Sequence, residues 1–250
     1  MGTVQEAEVV VSEQGTAIVT GGSRGLGLKI VEHFAERGFR VVTCSRKPTS
    51  ALDELRARFD IEWHSVDAAS PTSRAEMANI ITAAQPHLLI NNIGSIAQGL
   101  FISEPQESLE TVVATNYIAP MVFIQAAARS MVGNGIAGQI VNVSSINTIR
   151  GYRGVASYAS AKAGIDGLVR PLARELGPFG IRINSVVPGY FDSDLTAVVT
   201  DDHRTQIRNR TPLGRLGTTD DVVGAINYLT SEPGTFITGQ TLVIDGGITC

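Results

Sequence analysis

The sequence predicts an α/β fold: a single doubly wound domain in which a parallel sheet of about seven strands carries helices on both faces. Three observations lead there. Short β-branched runs alternate with segments of helical apolar periodicity from Thr16 onward, and parallel strands require such crossovers. A glycine-spaced loop follows the first of these runs directly. No internal repeat, low-complexity stretch or linker divides the 250 residues, a length that one α/β domain accommodates.

Met1 to Gln14 is polar and acidic around Val9 to Val11, so residues 1–15 read as a flexible extension and 16–250 as one catalytic domain. Thr16 to Thr20, bounded by glycines, reads as a strand. Leu26 to Arg37, apolar at Leu28, Ile30, Val31 and Phe34, reads as a helix that Gly38 ends. The alternation continues with a strand Arg40 to Cys44, a helix Ala51 to Arg58, a strand Ile61 to Val66 and a helix Thr72 to Ala84. Next come a strand His87 to Ile90, a long helix Ser108 to Met131 and a strand Gln139 to Val143. A helix Tyr158 to Leu176, a strand Arg182 to Val187, a helix Asp220 to Leu229 and a strand Thr241 to Ile244 complete the series. The longest irregular stretch, 188–220, is long enough to be functional and is expected to place short helices over the active site.

Composition narrows the partners. A formal charge of −4 with no basic run gives neither a nucleic-acid footprint nor a membrane-surface patch. No uninterrupted apolar run reaches the length of a bilayer span, and the N-terminus lacks the charged and apolar regions of a secretory signal. Cys44 and Cys250 are widely separated, which suits reduced thiols and a cytoplasmic location. The sequon-like Asn142-Val143-Ser144 falls at a buried strand end and is discounted.

Gly21, Gly25 and Gly27 are spaced G-x-x-x-G-x-G between the first strand and first helix. The chain must turn sharply there and approach a pyrophosphate closely, while the helix N-terminus offers free N–H groups to the anion. Ser23, Arg24 and Leu26 complete a dinucleotide loop. At the end of the second strand an acid would accept from the ribose hydroxyls of NAD, but the chain has Ser45-Arg46. Arg46, with Arg24 and Ser45, is expected to hold a 2′-phosphate through charge-assisted hydrogen bonds, which favours NADP(H). Asp67, after the third strand, is an acceptor for the adenine amino group. No metal is expected.

Tyr158 and Lys162 are four apart, so a helix brings both to one face. A fixed positive charge beside a phenol favours its ionised form, which prepares Tyr158 to carry a proton to or from an alcohol oxygen. Only three of the 20 basic residues are Lys, yet one stands here, and a compact ammonium suits a site shared by tyrosine and ribose. Ser145, at the end of the Gln139 to Val143 strand, is placed to orient the substrate oxygen.

With Asn91-Asn92-Ile93-Gly94, Asn116 and Pro188-Gly189 also in order, residues Thr16 to Ile248 resemble the short-chain dehydrogenase/reductase family. The resemblance implies a Rossmann-type fold with Tyr158 as acid/base, Ser145 orienting the carbonyl and Lys162 binding the nicotinamide ribose while lowering the Tyr158 pKa. It further implies that Asn116 holds a water of the proton relay and that Asn92 and Gly94 line the adenosine side. Pro188 and Gly189 would face the nicotinamide, and Ser193 would meet its carboxamide. Two positions depart from the family pattern: Ile93 stands for the usual alanine and Ser193 for threonine.

The 212–217 and 237–247 segments look most like 3-oxoacyl-thioester reductases, whereas Cys44-Ser45-Arg46 is similar to tropinone-reductase-like members. The leading expectation is NADPH-dependent reduction of a small-molecule carbonyl to a secondary alcohol. The alternatives are an alcohol dehydrogenase working oxidatively and a non-catalytic dinucleotide sensor. Residues 147–152 and 189–194 are expected to wall the substrate pocket, with Ile149, Tyr152, Tyr190 and Phe191 making it moderately apolar. Segments 130–138 and 177–180 contain no basic residue, which argues against a carrier-bound substrate, although Arg150, Arg153, Arg204 and Arg208 stand in other loops. By resemblance the chain is a homo-oligomer, a tetramer being favoured, joined through the helices Ser108 to Met131 and Tyr158 to Leu176.

Overall fold

A computed structural model describes residues 15–191 and 201–250. The proposed extension 1–14 and the position of Ser193 lie outside the described residues. In order the elements are β1 (Thr16–Thr20), α1 (Gly25–Glu36), β2 (Arg40–Ser45), α2 (Ser50–Arg56), β3 (Ile61–Ser65), α3 (Pro71–Ala83), β4 (Leu88–Asn91), α4 (Gln106–Val113) and α5 (Ala119–Asn134). There follow β5 (Gln139–Val143), α6 (Ala156–Leu176), β6 (Arg182–Pro188), α7 (Asp201–Arg210), α8 (Thr219–Thr230) and β7 (Thr241–Ile244). All seven strands form one sheet in the order β3-β2-β1-β4-β5-β6-β7, and every pairing is parallel.

The apolar runs are nearly continuous because both faces of each central strand are covered. Strand alternation then sorts them. Ala17, Val19, Val41, Ile90, Val141 and Val186 join Ile30 and Phe34 of α1 and Val222 and Ile226 of α8 in one core. Ile18, Val42, Leu89, Ile140 and Ile183 point the other way, into a second core with Met77 and Ile81 of α3 and Phe123 and Met131 of α5. The sheet is thus sandwiched, and its C-terminal edge is left to the loops.

The expected helix Ser108 to Met131 is longer and is interrupted. Between α4 and α5, residues Ala114–Ile118 form a π-helical turn in which the Ala119 N–H reaches back to Ala114 O. Such a turn accommodates an extra residue and marks functional sites disproportionately. By length and composition the whole span Gln106–Asn134 is apolar enough to cross a membrane, with a mean hydropathy of 1.3 in its most apolar window. Half of that window is buried, and α5 packs on α3 and β4 as a core helix. In the 188–220 stretch, α7 is the short helix that the sequence led us to expect.

Candidate active site

The glycine turn is built from three strands. Gly21 (φ +73°) donates its N–H to Cys44 O at the end of β2, 2.8 Å away. From the end of β4, the Asn92 and Ile93 N–H groups both donate to Thr20 Oγ1 at 3.1 Å, and Asn92 Nδ2 donates to Thr20 O and Gly21 O at 3.2 Å. A Cβ on Gly27 would lie 2.1 Å from Gly21 O and 2.5 Å from Asn92 Nδ2, so α1 seats directly on the turn only because that residue has no side chain. The first turn of α1 contains no acid and its N-cap makes no side-chain hydrogen bond, which leaves the helix N-terminus to an anion. This is a cradle for a dinucleotide pyrophosphate. Cys44, beneath it, is fully buried, and burial pushes its thiol up to about 12.

Because β1 lies between β2 and β4, the crossovers leave it in opposite directions and open a crevice at the strand ends. A cleft of about 1380 Å³ occupies that position. Its wall includes Gly21, Ser23, Arg24, Gly25, Leu26, Gly27, Ser45, Arg46, Asp67, Asn92, Gly94, Ser145, Tyr158, Lys162, Pro188 and Gly189. Among the described site residues expected from sequence, Asn116 alone is absent from the wall. Tyr152, Tyr190 and Phe191 line the cleft as expected, and Tyr152 meets Tyr190 edge to face at 5.6 Å. Ile149 does not: it is 49% exposed outside the cleft wall, and the neighbouring Arg150 turns away to donate to Ile248 O at 2.9 Å.

The hydrogen bonds of these side chains refine their roles. The Ser45 hydroxyl accepts from Trp63 Nε1 and donates its one proton to Lys47 O, both at 2.8 Å, so it fixes the turn after β2 and has no hydrogen left for a phosphate. Arg46 and Lys47 project from that turn into the cleft wall, and Lys47 is the cation that sequence reasoning passed over although it adjoins Arg46. The Asn92 amide hydrogens brace the glycine turn. Asp67 lines the cleft, with Oδ1 accepting from Ala69 N at 3.0 Å.

Asn116 sits in the π turn with its side chain completely buried. Nδ2 donates to Ser95 O (2.7 Å) and Val112 O (2.8 Å), and Oδ1 accepts from Ser95 N (3.2 Å). The side chain therefore anchors the segment after β4 and is not available to a water. A Cβ at Gly94 would lie 2.9 Å from Asn116 Oδ1 and 3.5 Å from Lys162 Nζ, so this anchor borders the lysine. Ile93 packs against the α3/α5 core, which absorbs the bulk it adds beside the cleft.

α6 begins at Ala156 and places Tyr158 and Lys162 one turn apart, 9% and 4% exposed. Ser145 caps the short helix Ile146–Thr148 that follows β5, its hydroxyl accepting from Asn147 N at 3.3 Å, and it stands beside the Tyr158 phenol on the cleft wall. The phenol does not have the lowered pKa that the sequence suggested. Burial raises it, and the neighbouring Ser145 hydroxyl is the opposing influence. Lys162 Nζ donates to Val143 O at 2.8 Å, and burial lowers the ammonium from 10.5 to about 8, against a raising effect of Asp166. Both groups answer first to desolvation. As the folded pKa of Lys162 lies below its unfolded value, protonation opposes folding: this penalty is absent above about pH 10.5, grows as pH falls, and is fully present below about 8.

A proton donor, an ammonium and a hydroxyl thus converge where a dinucleotide cradle opens onto an aromatic pocket. Known proteins resemble the chain over nearly its whole length. The family model described as Enoyl-(Acyl carrier protein) reductase matches residues 21–249. The 3-oxoacyl-(acyl-carrier-protein) reductase FabG of Chlamydia trachomatis is 33% identical over 241 residues, covering 93% of this chain and 96% of its own. Among solved structures, 4-hydroxyisoleucine dehydrogenase complexed with NADH superposes with a TM-score of 0.89 at 25% identity, over 94% of this chain and 98% of the other. A protein of Beutenbergia cavernae described as an NAD(P)-dependent gluconate 5-dehydrogenase, with NADP bound, gives 0.87 at 30% identity, over 94% and 96%.

Proposed function

This chain belongs to the short-chain dehydrogenase/reductase family of nicotinamide-dependent oxidoreductases, and from that premise we propose that it is an NADPH-dependent reductase of a ketone. The observation that carries this reading is the convergence of Ser145, Tyr158 and Lys162 on one wall of the cleft that the glycine turn opens into, with Arg46 and Lys47 on the same wall. In reduction the Tyr158 phenol donates the proton and in oxidation its phenolate accepts one, so the choice of reduction rests on the choice of NADPH. The cradle fits a dinucleotide: Gly21 and Gly27 leave room that a Cβ would fill, and the bound cofactor would supply the hydride. Ser145 hydrogen-bonds and orients the substrate carbonyl oxygen, and Tyr158 protonates it. Lys162 steadies the phenolate that results and binds ribose hydroxyls. Monitoring loss of NADPH absorbance with a panel of ketones and acyl thioesters tests this; a protein that binds NADPH and oxidises it with none of them, but reduces NADP with secondary alcohols, is a dehydrogenase instead.

Arg46 and Lys47, both on the cleft wall beyond the end of β2, support the choice of NADPH. Neither side chain has a hydrogen-bond or ion-pair partner among the described residues. Arg46→Asp is expected to weaken NADPH relative to NADH by at least tenfold, a demand of about 1.4 kcal/mol on one charge-assisted contact. Retained preference in cofactor titrations of the variant would shift the role to Arg24 or Lys47, and an NADH-selective parent protein would end this reading.

The substrate class we infer is a free ketone or small thioester rather than a carrier-bound chain. The turn 177–180 exposes Phe179 (54%) and holds no basic residue, and complementary charge is what steers an acidic carrier to its enzyme. Presenting one 3-oxoacyl group on a small thiol and on a carrier protein should give comparable kcat/KM; a carrier advantage that fades with added salt would contradict this. Both cysteines are free thiols, in keeping with a cytoplasmic setting. We further infer a homo-oligomer, a tetramer joined through α4/α5 and α6, for which light scattering at micromolar concentration should give four times the 26.5 kDa chain mass; a monomer would count against it.

A further inference from the structure

One carboxylate at the strand ends has no part in the site as described so far. Asp166 stands one turn beyond Lys162 on α6, so the two side chains leave the helix on one side. They grip consecutive residues at the end of β5: Lys162 Nζ donates to Val143 O at 2.8 Å, and Ser144 Oγ donates to Asp166 Oδ2 at 2.7 Å. The second oxygen, Oδ1, is buried with no hydrogen-bond partner among the described residues. A buried carboxylate oxygen without a donor is costly, which makes the charge itself the feature to explain. The groups that face Lys162 from the neighbouring elements are neutral: Nζ bonds the Val143 carbonyl of β5, Gly94 after β4 borders it together with Asn116 of the π turn, and Tyr158 stands one turn away on its own helix.

Resting on the reading of Tyr158 and Lys162 as the working pair, we propose that Asp166 is a positioning residue whose carboxylate, fixed by Ser144, is the counter-charge that keeps Lys162 an ammonium in otherwise uncharged surroundings. Burial works against that ammonium, and its pKa stands at only about 8 even with Asp166 raising it. Without the carboxylate, Lys162 would lose its proton near neutral pH. The phenolate formed at Tyr158 would then lack its charge partner. Ser144 and Ser145 divide the work between them: one hydroxyl holds the counter-charge, the next stands beside the acid.

The chain has three lysines, Lys29, Lys47 and Lys162, so protein labelled with ¹³C at lysine Cε gives three NMR signals, and Lys162→Met assigns the one of interest. In Asp166→Asn, which keeps the shape and an acceptor for Ser144, the Lys162 signal is expected to titrate at least about one pH unit lower, a tenfold change in its proton equilibrium. Lys29 and Lys47 should not move. Should the amide variant fail to fold, Asp166→Ser removes the same charge and is read in the same way. Turnover should show the alkaline limb of kcat displaced to lower pH in Asp166→Asn and returned toward the parent position in Asp166→Glu. A Lys162 titration unmoved by loss of the carboxylate overturns the proposal, whether or not kcat falls. The NMR titration needs no substrate, so its failure is distinct from failure of the reductase reading.

Discussion

Tyr158→Phe is expected to lower turnover by roughly 10²–10⁴, the usual share of a positioned general acid, while leaving NADPH affinity within about twofold. The substitution removes one oxygen from a side chain that is 9% exposed, and the ring keeps its packing. The Ser145 hydroxyl keeps its bond from Asn147 N and remains able to bond the substrate oxygen. Steady-state kinetics with the best ketone from the panel, together with a fluorescence titration of NADPH and a thermal melt, separates the effects. Near-normal turnover in a folded variant would remove Tyr158 from the chemistry.

Lys162→Met should lose rate and cofactor affinity together, because one ammonium is assigned both tasks. Turnover is expected to fall by about 10² or more, as for loss of a buried charge opposite a developing anion, and NADPH affinity by about tenfold. Thermal stability should respond differently. The buried ammonium opposes folding below about pH 8, so its replacement by an apolar chain of similar length lifts that penalty, while the Val143 carbonyl loses its 2.8 Å donor. Near pH 7 the two terms offset, and the melting temperature should change little as activity collapses. A defect in rate alone, or in affinity alone, would assign the two tasks to different groups.

The contrast between these variants reflects how the site is built. Desolvation sets both titratable groups: it holds the phenol protonated and weakens the ammonium. Reduction therefore starts from the forms the fold favours for Tyr158, while Lys162 is charged against the tendency of its surroundings. A site that needs a buried cation gives up stability for function, and Asp166 limits that loss.

Sequence by itself determined the alternation of strands and helices, the single doubly wound domain, the glycine turn after β1 and the pairing of Tyr158 with Lys162. These are short-range properties. Apolar periodicity, the spacing of glycines between a strand and a helix, and an i, i+4 pair on one helix are all written within a few residues of one another. Tertiary structure decided what depends on partners far along the chain. Ser45 read as a phosphate contact until Trp63, across from β2 on β3, took its hydroxyl. That the Asn116 side chain anchors Ser95 was likewise out of reach, because it depends on a π turn meeting the segment after β4. That the Asn92 amide also braces the glycine turn became visible only when parallel pairing of β4 with β1 brought it against Thr20 and Gly21. The direction of the Tyr158 pKa was out of reach for the same reason: the sequence showed a neighbouring charge, but burial of the phenol, which raises its pKa, is a property of everything packed around it.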